Sequence, residues 1–284
     1  HLSFEEAHEF YVDLLRSRKP VSRHDLAVLG LSDRWFLLWY ILHRTDVLSH
    51  DTPETKGTHW LFERCREVER DPDGHLDLWA RDHYKSTIIT FAGSIQLALR
   101  DPEITIGIFS HTRGIAKAFL AQIKREFENN NDLKAIYPDV CWAQPEREAP
   151  KWSVLEGICL KRRSNPKEQT FEAWGLVDGM PTSKHFRHLI YDDVVAPESV
   201  TTPEQIRKTT VAFELSRNLG AKGSRPPWMI GTRYSFADTY GQLIERGVVK
   251  PRIYPATEDG TANGRPVFLT PEQWEKVKLE QATQ

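Results

Sequence analysis

The sequence lacks several features that would place it in a common functional class. No apolar run approaches the ~20 residues that a membrane-spanning helix requires, and no secretory signal peptide is visible. Internal repeats and low-complexity segments are also absent. The formal net charge is −2, so the chain has no global basic signature of nucleic-acid binding. Any contact with DNA must therefore come from a local patch.

Cysteine is scarce too. Cys65, Cys141 and Cys159 lie far apart and show no spacing typical of a metal site. They indicate reduced, structural thiols of an intracellular protein. The first residue is His1 rather than Met, from which we expect an excised piece of a longer chain. The remaining composition, 39% hydrophobic and 27% charged over 284 residues, suits one large α/β domain with a subdomain, or two domains.

The hydrophobic pattern predicts a helical N-terminal region and then alternating strands and helices, which implies a parallel sheet with right-handed crossovers. Ser3 and Glu6 have the spacing of a capping box at the first helix. N-terminal helices are predicted at 3–18, 33–43 and 58–70, and apolar strands at 104–110, 188–195 and 227–233. A hairpin or sheet edge is predicted from 157–162 and 169–174. From residue 248 the sequence is turn-rich. We therefore divide the chain into a helical region (1–57), a core (58–247) and a linker or subdomain segment (248–284).

One stretch, Leu76–Thr90, has the chemistry of a phosphate-binding loop. It predicts a short strand, a tight loop and a helix start, and the loop ends in Lys85, Ser86 and Thr87. A helix N-terminus offers unpaired N–H groups to an anion, lysine adds a positive charge, and a hydroxyl can ligate Mg²⁺. The glycines of the generic pattern are replaced by Trp79 and Tyr84. The alternative is an ordinary strand-to-helix turn with a surface lysine.

Two further strand ends carry polar groups. Asp192 and Asp193 follow an apolar strand, at the sheet edge where α/β proteins bind ligands. In P-loop NTPases the first such acid holds Mg²⁺ and the second polarises the attacking water. Thr232, after Gly231, stands at the end of the next strand, where a hydroxyl can sense the γ-phosphate. The alternative in both cases is a capped strand end or a turn.

Other charged residues leave more than one interpretation open. Arg81 could reach the phosphates as an arginine finger in cis, or pair with Asp82 on the surface. His83 could ligate a metal, but no second ligand sits at a suitable spacing. Residues 161–167, with Lys184 and Arg187 nearby, form a basic cluster that could touch a phosphate backbone or could be a solvated hairpin tip.

Taken in order, these elements resemble the ATPase domain of the large terminase subunit of tailed bacteriophages, over roughly residues 58–260. The resemblance rests on a deviant Walker A loop, on Asp192 and Asp193 as Walker B, and on Gly231-Thr232-Arg233 as the coupling motif. It implies an ASCE-type P-loop NTPase fold in which an extra strand, 104–110, lies between the Walker A and Walker B strands. The residues of the deviant loop are Arg81, Asp82, His83, Tyr84, Lys85, Ser86 and Thr87.

The resemblance also implies a role for each residue. Lys85 would bind the β- and γ-phosphates of ATP. Ser86 and Asp192 would bind Mg²⁺, and Arg81 would act as the arginine finger in cis. Asp193 would be the catalytic acid and Thr232 would couple hydrolysis to movement. Many relatives have glutamate where this chain has the shorter Asp193, so Glu198 is an alternative acid. Tyr84 would narrow the loop or pack against the nucleotide, and the adenine would lie near Trp60, His59 and 50–58.

The family further implies double-stranded DNA, a portal protein and a small terminase subunit as partners of a homo-oligomeric ring without membrane attachment. The ring would act in the host cytoplasm, at the portal of the prohead. No set of spaced carboxylates for a two-metal nuclease follows Thr232, so we expect ATPase but not nuclease activity. The alternatives are another ASCE NTPase, of a helicase or repair type, and a nucleotide-binding assembly module with little turnover.

Overall fold

An eight-stranded, mostly parallel sheet flanked by helices forms the centre of the protein, in a computed structural model that describes residues 2–16, 21–44 and 60–281. The strands are β1 (His75–Trp79), β2 (Ile106–Ser110), β3 (Trp152–Ser153), β4 (Gly157–Ile158), β5 (Phe171–Gly175), β6 (His188–Asp192), β7 (Trp228–Gly231) and β8 (Lys250–Tyr254). Their order is β3-β4-β5-β2-β6-β7-β1-β8; the first two joins are antiparallel and the others parallel. The predicted α/β class with a mostly parallel sheet is confirmed.

Helices cover both faces of this sheet. They are α1 (Phe4–Arg16), α2 (Arg23–Ser32), α3 (Arg34–Phe36), α4 (Trp60–Arg70), α5 (Ser94–Arg100), α6 (Arg113–Asn129), α7 (Asn131–Ile136), α8 (Pro145–Glu148), α9 (Pro203–Ser216), α10 (Thr239–Glu245) and α11 (Pro271–Gln281). Short 3₁₀ turns lie at Pro197–Val200 and Arg217–Leu219. Two segments are π-helical, Leu37–Ile41 after α3 and Thr87–Gly93 before α5. No helix among these ranges is long and apolar enough to span a bilayer.

Alternation along the strands produces two apolar layers. Ile106, Ile108 and Ile190 point to the face covered by residues from α1 through α7. Phe109 and Tyr191 point to the opposite face, which α9 and α10 cover. The strands are buried on both faces because helices cover both, which explains their nearly continuous apolar sequences.

The predicted N-terminal helices are present, with one local difference. At α1, the Ser3 N–H donates to Glu6 Oε2 at 2.8 Å and the Glu6 N–H donates to Ser3 Oγ at 3.2 Å, which confirms the capping box. The helix predicted over 33–43 is only briefly α-helical, because it widens into the π-helical turn after α3. The division of the chain at residues 57 and 247 stays a prediction, and residue 57 lies outside the described ranges.

The predicted position of strand 104–110 in the sheet is wrong. β2 precedes β6 along the chain, but in the sheet it lies on the far side of β6 from β1. The strand between β1 and β6 is β7, which pairs in parallel with both. An apolar pattern identifies strands but does not order them, since the pattern of one strand does not specify which strands it pairs with.

β8 was not predicted, because its inward side chain is charged. Its only buried residue is Arg252, and Pro251 is tolerated because β8 is an edge strand. The Arg252 guanidinium donates from Nε and Nη2 to the two carboxylate oxygens of Asp77, both at 2.8 Å. This buried two-pronged pair joins β8 to β1 and replaces the apolar contact that a strand pattern detects.

The buried residue His188 makes the stability of the fold depend on pH. The ring is fully buried at the start of β6, packs edge-on against Trp228 at 4.6 Å, and neither of its nitrogens has a hydrogen-bond partner among the described residues. Burial lowers the pKa of His188 to about 3. The unfolded chain therefore binds a proton that the folded chain does not, and stability falls as pH drops below the ordinary histidine pKa.

We predict that His188→Phe removes about 2 kcal/mol of the stability loss between pH 7 and pH 5. Phenylalanine keeps the aromatic contact with Trp228 but cannot be protonated. Urea denaturation at the two pH values measures the change, and His24→Phe at an exposed position serves as the control. Equal pH dependence in wild type and His188→Phe would contradict the assignment.

Candidate functional site

The loop between β1 and the next helix has the backbone of an anion cradle. The strand ends at Trp79 and the helix begins at Lys85, with the Ile88 N–H donating to the Tyr84 carbonyl at 2.9 Å as its first helical bond. From Lys85 the helix continues through Thr87–Gly93 into α5. It is long enough for a substantial positive N-terminal end, where the first N–H groups have no partner within the helix.

Two residues of the loop take the left-handed conformation that glycine normally supplies. Asp82 has φ of 61° and Tyr84 has φ of 57°. This conformation costs an L-residue roughly 1–2 kcal/mol. The loop therefore turns in the manner of a glycine loop although its glycines are missing, and Tyr84 stands in the residue position directly before Lys85.

Lys85 is the cationic residue at the N-terminal end of this helix. Only 7% of the residue is exposed, and within the described ranges no carboxylate forms a salt bridge with its ammonium. A cation at a helix N-terminus opposes the helix dipole, which costs free energy. An anion bound between the lysine and the helix end offsets this cost.

Asp192 joins the end of β6 to this helix. It is fully buried, accepts a hydrogen bond from Ser86 Oγ at 2.9 Å, and accepts a second, short one from Thr90 Oγ1. Burial, reinforced by the negative charge of Asp193, raises the pKa of Asp192 to about 7. A carboxylate whose ionised form is this unfavourable gains from a nearby cation.

Asp193 combines a left-handed backbone with a carboxylate oxygen to which no described residue donates a hydrogen bond. Its backbone is left-handed at φ of 48°, fixed by its N–H donating to the Ile230 carbonyl at 2.9 Å. Its Oδ1 is buried and has no hydrogen-bond partner among the described residues. Strain and an orphaned acceptor at the end of a central strand indicate a residue held for a ligand or a water.

The oxygens at this strand end fit a hard divalent cation. Ser86 and Asp192 offer hydroxyl and carboxylate oxygens within hydrogen-bond distance of each other, and Asp193 adds an unpartnered oxygen. Within the described part of the chain, no group of three or more His, Cys, Asp or Glu residues could hold a metal alone. Magnesium that arrives with phosphates needs only one or two protein ligands of this kind.

Arg81 and the segment after β7 are in contact. Arg81 is exposed and donates to Tyr234 Oη at 2.7 Å, with its guanidinium over the ring at 5.6 Å. Thr232 is half-buried at the end of β7, two residues before that tyrosine. Gly231 precedes it because a Cβ there would lie only 2.4 Å from the Tyr240 ring. The loop arginine therefore contacts the segment that carries Thr232, rather than Asp82.

The remaining residues predicted in the loop are placed as follows. His83 is buried, its Nδ1 lies 2.6 Å from the Arg81 carbonyl, and burial lowers its pKa. Thr87 and Tyr84 line a cavity of about 430 Å³ beside the loop. The side chain of Glu198 is 67% exposed, and its Oε1 lies 3.7 Å from Nε2 of His111, directly after β2. The base-binding region predicted at 50–58 and His59 lies outside the described residues.

Two residues of the site were not predicted from the sequence. Thr90 lies four residues after Ser86, so both hydroxyls fall on one helical face, and this spacing could have identified it. Tyr234 follows the coupling motif, and no sequence signal connects it with Arg81, because that contact joins residues 153 positions apart.

The basic cluster is mostly used within the fold. Lys184 pairs with the buried Glu172 and Arg187 pairs with Asp101. Lys161 donates to the Pro138 carbonyl, and Arg162 donates to the Glu168 carbonyl. These contacts favour the structural interpretation of the cluster over a dedicated DNA-binding patch.

The left-handed residue Asp82 provides a test of the loop backbone. We predict that Asp82→Gly is more stable than Asp82→Ala by about 0.5 to 1 kcal/mol, because only glycine adopts this φ without strain. Urea denaturation measures the difference. At Asp132 in α7 the order should reverse, because helical backbone disfavours glycine. A preference for alanine at both positions would refute the left-handed backbone at 82.

Asp192 should lower the stability of the free protein. Because its folded pKa is raised, the folded state loses stability as pH rises from about 4 to 7, when the buried carboxyl must ionise. We predict that Asp192→Asn stabilises the free protein at pH 8 by about 1 to 4 kcal/mol and leaves it nearly unchanged at pH 4. Denaturation at both pH values measures this; an equal effect at the two pH values would count against the raised pKa.

No protein-family model matches the chain, and a search of curated proteins finds no significant match. The assignment of a function therefore depends on the chemistry of the residues brought together at the ends of β1, β6 and β7.

Proposed function

We propose that the chain is an Mg²⁺-dependent ATPase of the ASCE P-loop class, which hydrolyses ATP to ADP and phosphate. The observation that carries this proposal is Lys85, a mostly buried lysine with which no described carboxylate pairs, at the N-terminal end of a long helix. Beside it, the Ser86 hydroxyl donates a hydrogen bond to the Asp192 carboxylate. A polyphosphate with a bound divalent cation satisfies the lysine, the helix end and the carboxylate together.

The order of the strands supports the ASCE class. Folds of this class have a strand between the Walker A strand and the Walker B strand. β7 holds that position, between β1 and β6, and ends in the Gly231-Thr232 pair. Because the strands are parallel, their C-terminal ends lie at one edge, which brings Lys85, Asp192 and Thr232 to one side of the sheet.

Each residue has a distinct part in the proposed reaction. Lys85 binds the β- and γ-phosphates, while Ser86 and Asp192 hold the magnesium ion, which neutralises charge on the phosphates. The orphaned oxygen of Asp193 orients the attacking water and accepts its proton. Thr232 senses the γ-phosphate from the end of β7.

Arg81 stabilises the negative charge that develops on the transferred phosphoryl group. In the structure its guanidinium donates to the Tyr234 hydroxyl. A charged phosphate is a stronger acceptor than a neutral phenol, so bound ATP competes effectively for this arginine. Since Tyr234 follows Thr232, that exchange alters the same segment that senses the γ-phosphate.

The motor function is the more specific part of the proposal. We infer that the ATPase drives double-stranded DNA into a viral prohead as the terminase large subunit, in a ring with a portal protein and a small terminase subunit. Support comes from the order of the motifs along the chain and from Arg81 within the loop, four residues before Lys85. We look for contacts with DNA outside the 161–167 cluster, where Lys161 and Arg162 donate to backbone carbonyls.

Steady-state ATP hydrolysis tests the enzymatic part. We predict that Lys85→Ala and Asp192→Ala each lower kcat/KM at least about 100-fold, because the first removes a positive charge from the phosphates and the second removes a ligand of the magnesium ion. Lys208→Ala, at an exposed lysine on α9, serves as the control. Wild-type turnover in both site variants would refute the assignment.

The same assay should be repeated with DNA and portal protein. Nucleotide binding without hydrolysis under all these conditions would select the assembly-module alternative. Hydrolysis that DNA and portal protein leave unchanged would argue against the motor and in favour of another ASCE NTPase.

A further inference from the structure

The proposed phosphate site has two unlike sides. β7 and β6, with the two acids and Thr232, lie on one side of β1, and β8 lies on the other. The γ-phosphate must face Asp192 and Asp193 for hydrolysis. Because a nucleoside triphosphate is linear, its nucleoside end then extends away from the acids, past the loop.

A cavity of about 430 Å³ opens on the loop, within the size range of small-molecule sites. It is lined by Asp82, His83, Tyr84, Lys85, Ser86 and Thr87, and by Phe268 and Leu269. The last two residues come from far along the chain, beyond β8, and they bring apolar surface to an otherwise polar loop. The cavity therefore contains both a phosphate-binding part and an apolar part.

Backbone contacts carry this distant segment to the loop. Tyr254, the last residue of β8, accepts a hydrogen bond from the Ala80 N–H at 2.9 Å. The chain then forms a hairpin in which the Val267 N–H donates to the Ala256 carbonyl at 3.0 Å. The hairpin delivers Phe268 directly after its second arm.

Aromatic contacts fix the segment against the loop. The Phe268 ring lies 5.1 Å from the His83 ring and 6.0 Å, edge-on, from the Tyr84 ring. Trp60 packs against Phe268 at 5.8 Å and edge-on against His83 at 5.4 Å. Phe268 is buried by these contacts, whereas Tyr84 and Leu269 remain half-exposed at the cavity. The half-exposed pair is thus the apolar surface that a ligand meets.

We propose that Tyr84 and Leu269, supported by the buried Phe268, form the nucleobase-binding wall of the site. This inference rests on the proposed ATPase function and names the part of the ligand that the cavity recognises. The base is held by aromatic and aliphatic contact, while Lys85 and the helix N-terminus hold the phosphates. The segment after β8 is therefore part of the nucleotide site rather than only a linker.

Calorimetric titration of the full chain with Mg·ATP and with Mg·tripolyphosphate separates the two parts of the site. We expect Leu269→Ala to weaken ATP binding about fivefold to tenfold, as expected for a lost apolar contact, and to leave tripolyphosphate binding unchanged. Lys85→Ala should weaken both ligands. Leu279→Ala, on α11 and 76% exposed, is the control and should affect neither.

The outcomes distinguish this inference from the proposed function. If Leu269→Ala binds ATP as wild type does while Lys85→Ala does not, the base lies elsewhere and the phosphate site stands. Equal weakening of both ligands by Leu269→Ala would also overturn the base wall, since it would indicate a distorted loop. If Lys85→Ala binds both ligands normally, the proposed function itself fails.

Discussion

The buried carboxylate of Asp192 is the interaction on which the geometry of the site depends. It closes the gap between β6 and the helix that starts at Lys85, through the hydroxyls of Ser86 and Thr90. The ionised form of a carboxyl group that is buried away from water, with a second acid beside it, is electrostatically unfavourable in the free protein. The fold tolerates this cost in free energy because two apolar layers hold the sheet and the helix in place. The site is thus prepared for positive charge before any ligand arrives.

The fold also depends on the ion pair of Asp77 and Arg252. This pair shows why the sequence predicted the apolar strands but not β8. Strands with apolar residues on both faces, such as β2 and β6, were predictable because a doubly covered parallel sheet requires such sequences. β8 was not, since its one fully buried residue is a charge that only its partner on β1 makes acceptable. The order of the strands in the sheet could not be predicted from the sequence either, because it depends on contacts between distant residues and not on the local hydrophobic pattern.

For the candidate site, the sequence revealed chemistry better than conformation. Lys85, Ser86, Asp192 and Thr232 could be proposed because residue type and position at strand ends limit what such groups do. The partner of Arg81 could not, since the contact with Tyr234 depends on how two loops meet at the sheet edge. The alternative acid Glu198 was suggested by proximity in sequence, but the turn after Asp193 directs it toward His111 and solvent. Nor does residue type reveal that Asp193 is left-handed, because aspartate adopts that conformation more often than most residues but still in a minority of positions.

The two left-handed residues of the loop, Asp82 and Tyr84, have a consequence for the energetics of ligand capture. A glycine-rich loop samples many conformations when empty, and a ligand that orders it loses part of its affinity to that ordering. Asp82 and Tyr84 have fewer backbone conformations available, and Tyr84 is further held by its contact with Phe268. Much of the entropy of ordering is therefore lost once, during folding, and not again at each encounter with a ligand. A rigid loop of this kind moves the entropic cost of ordering from every binding event to the single event of folding.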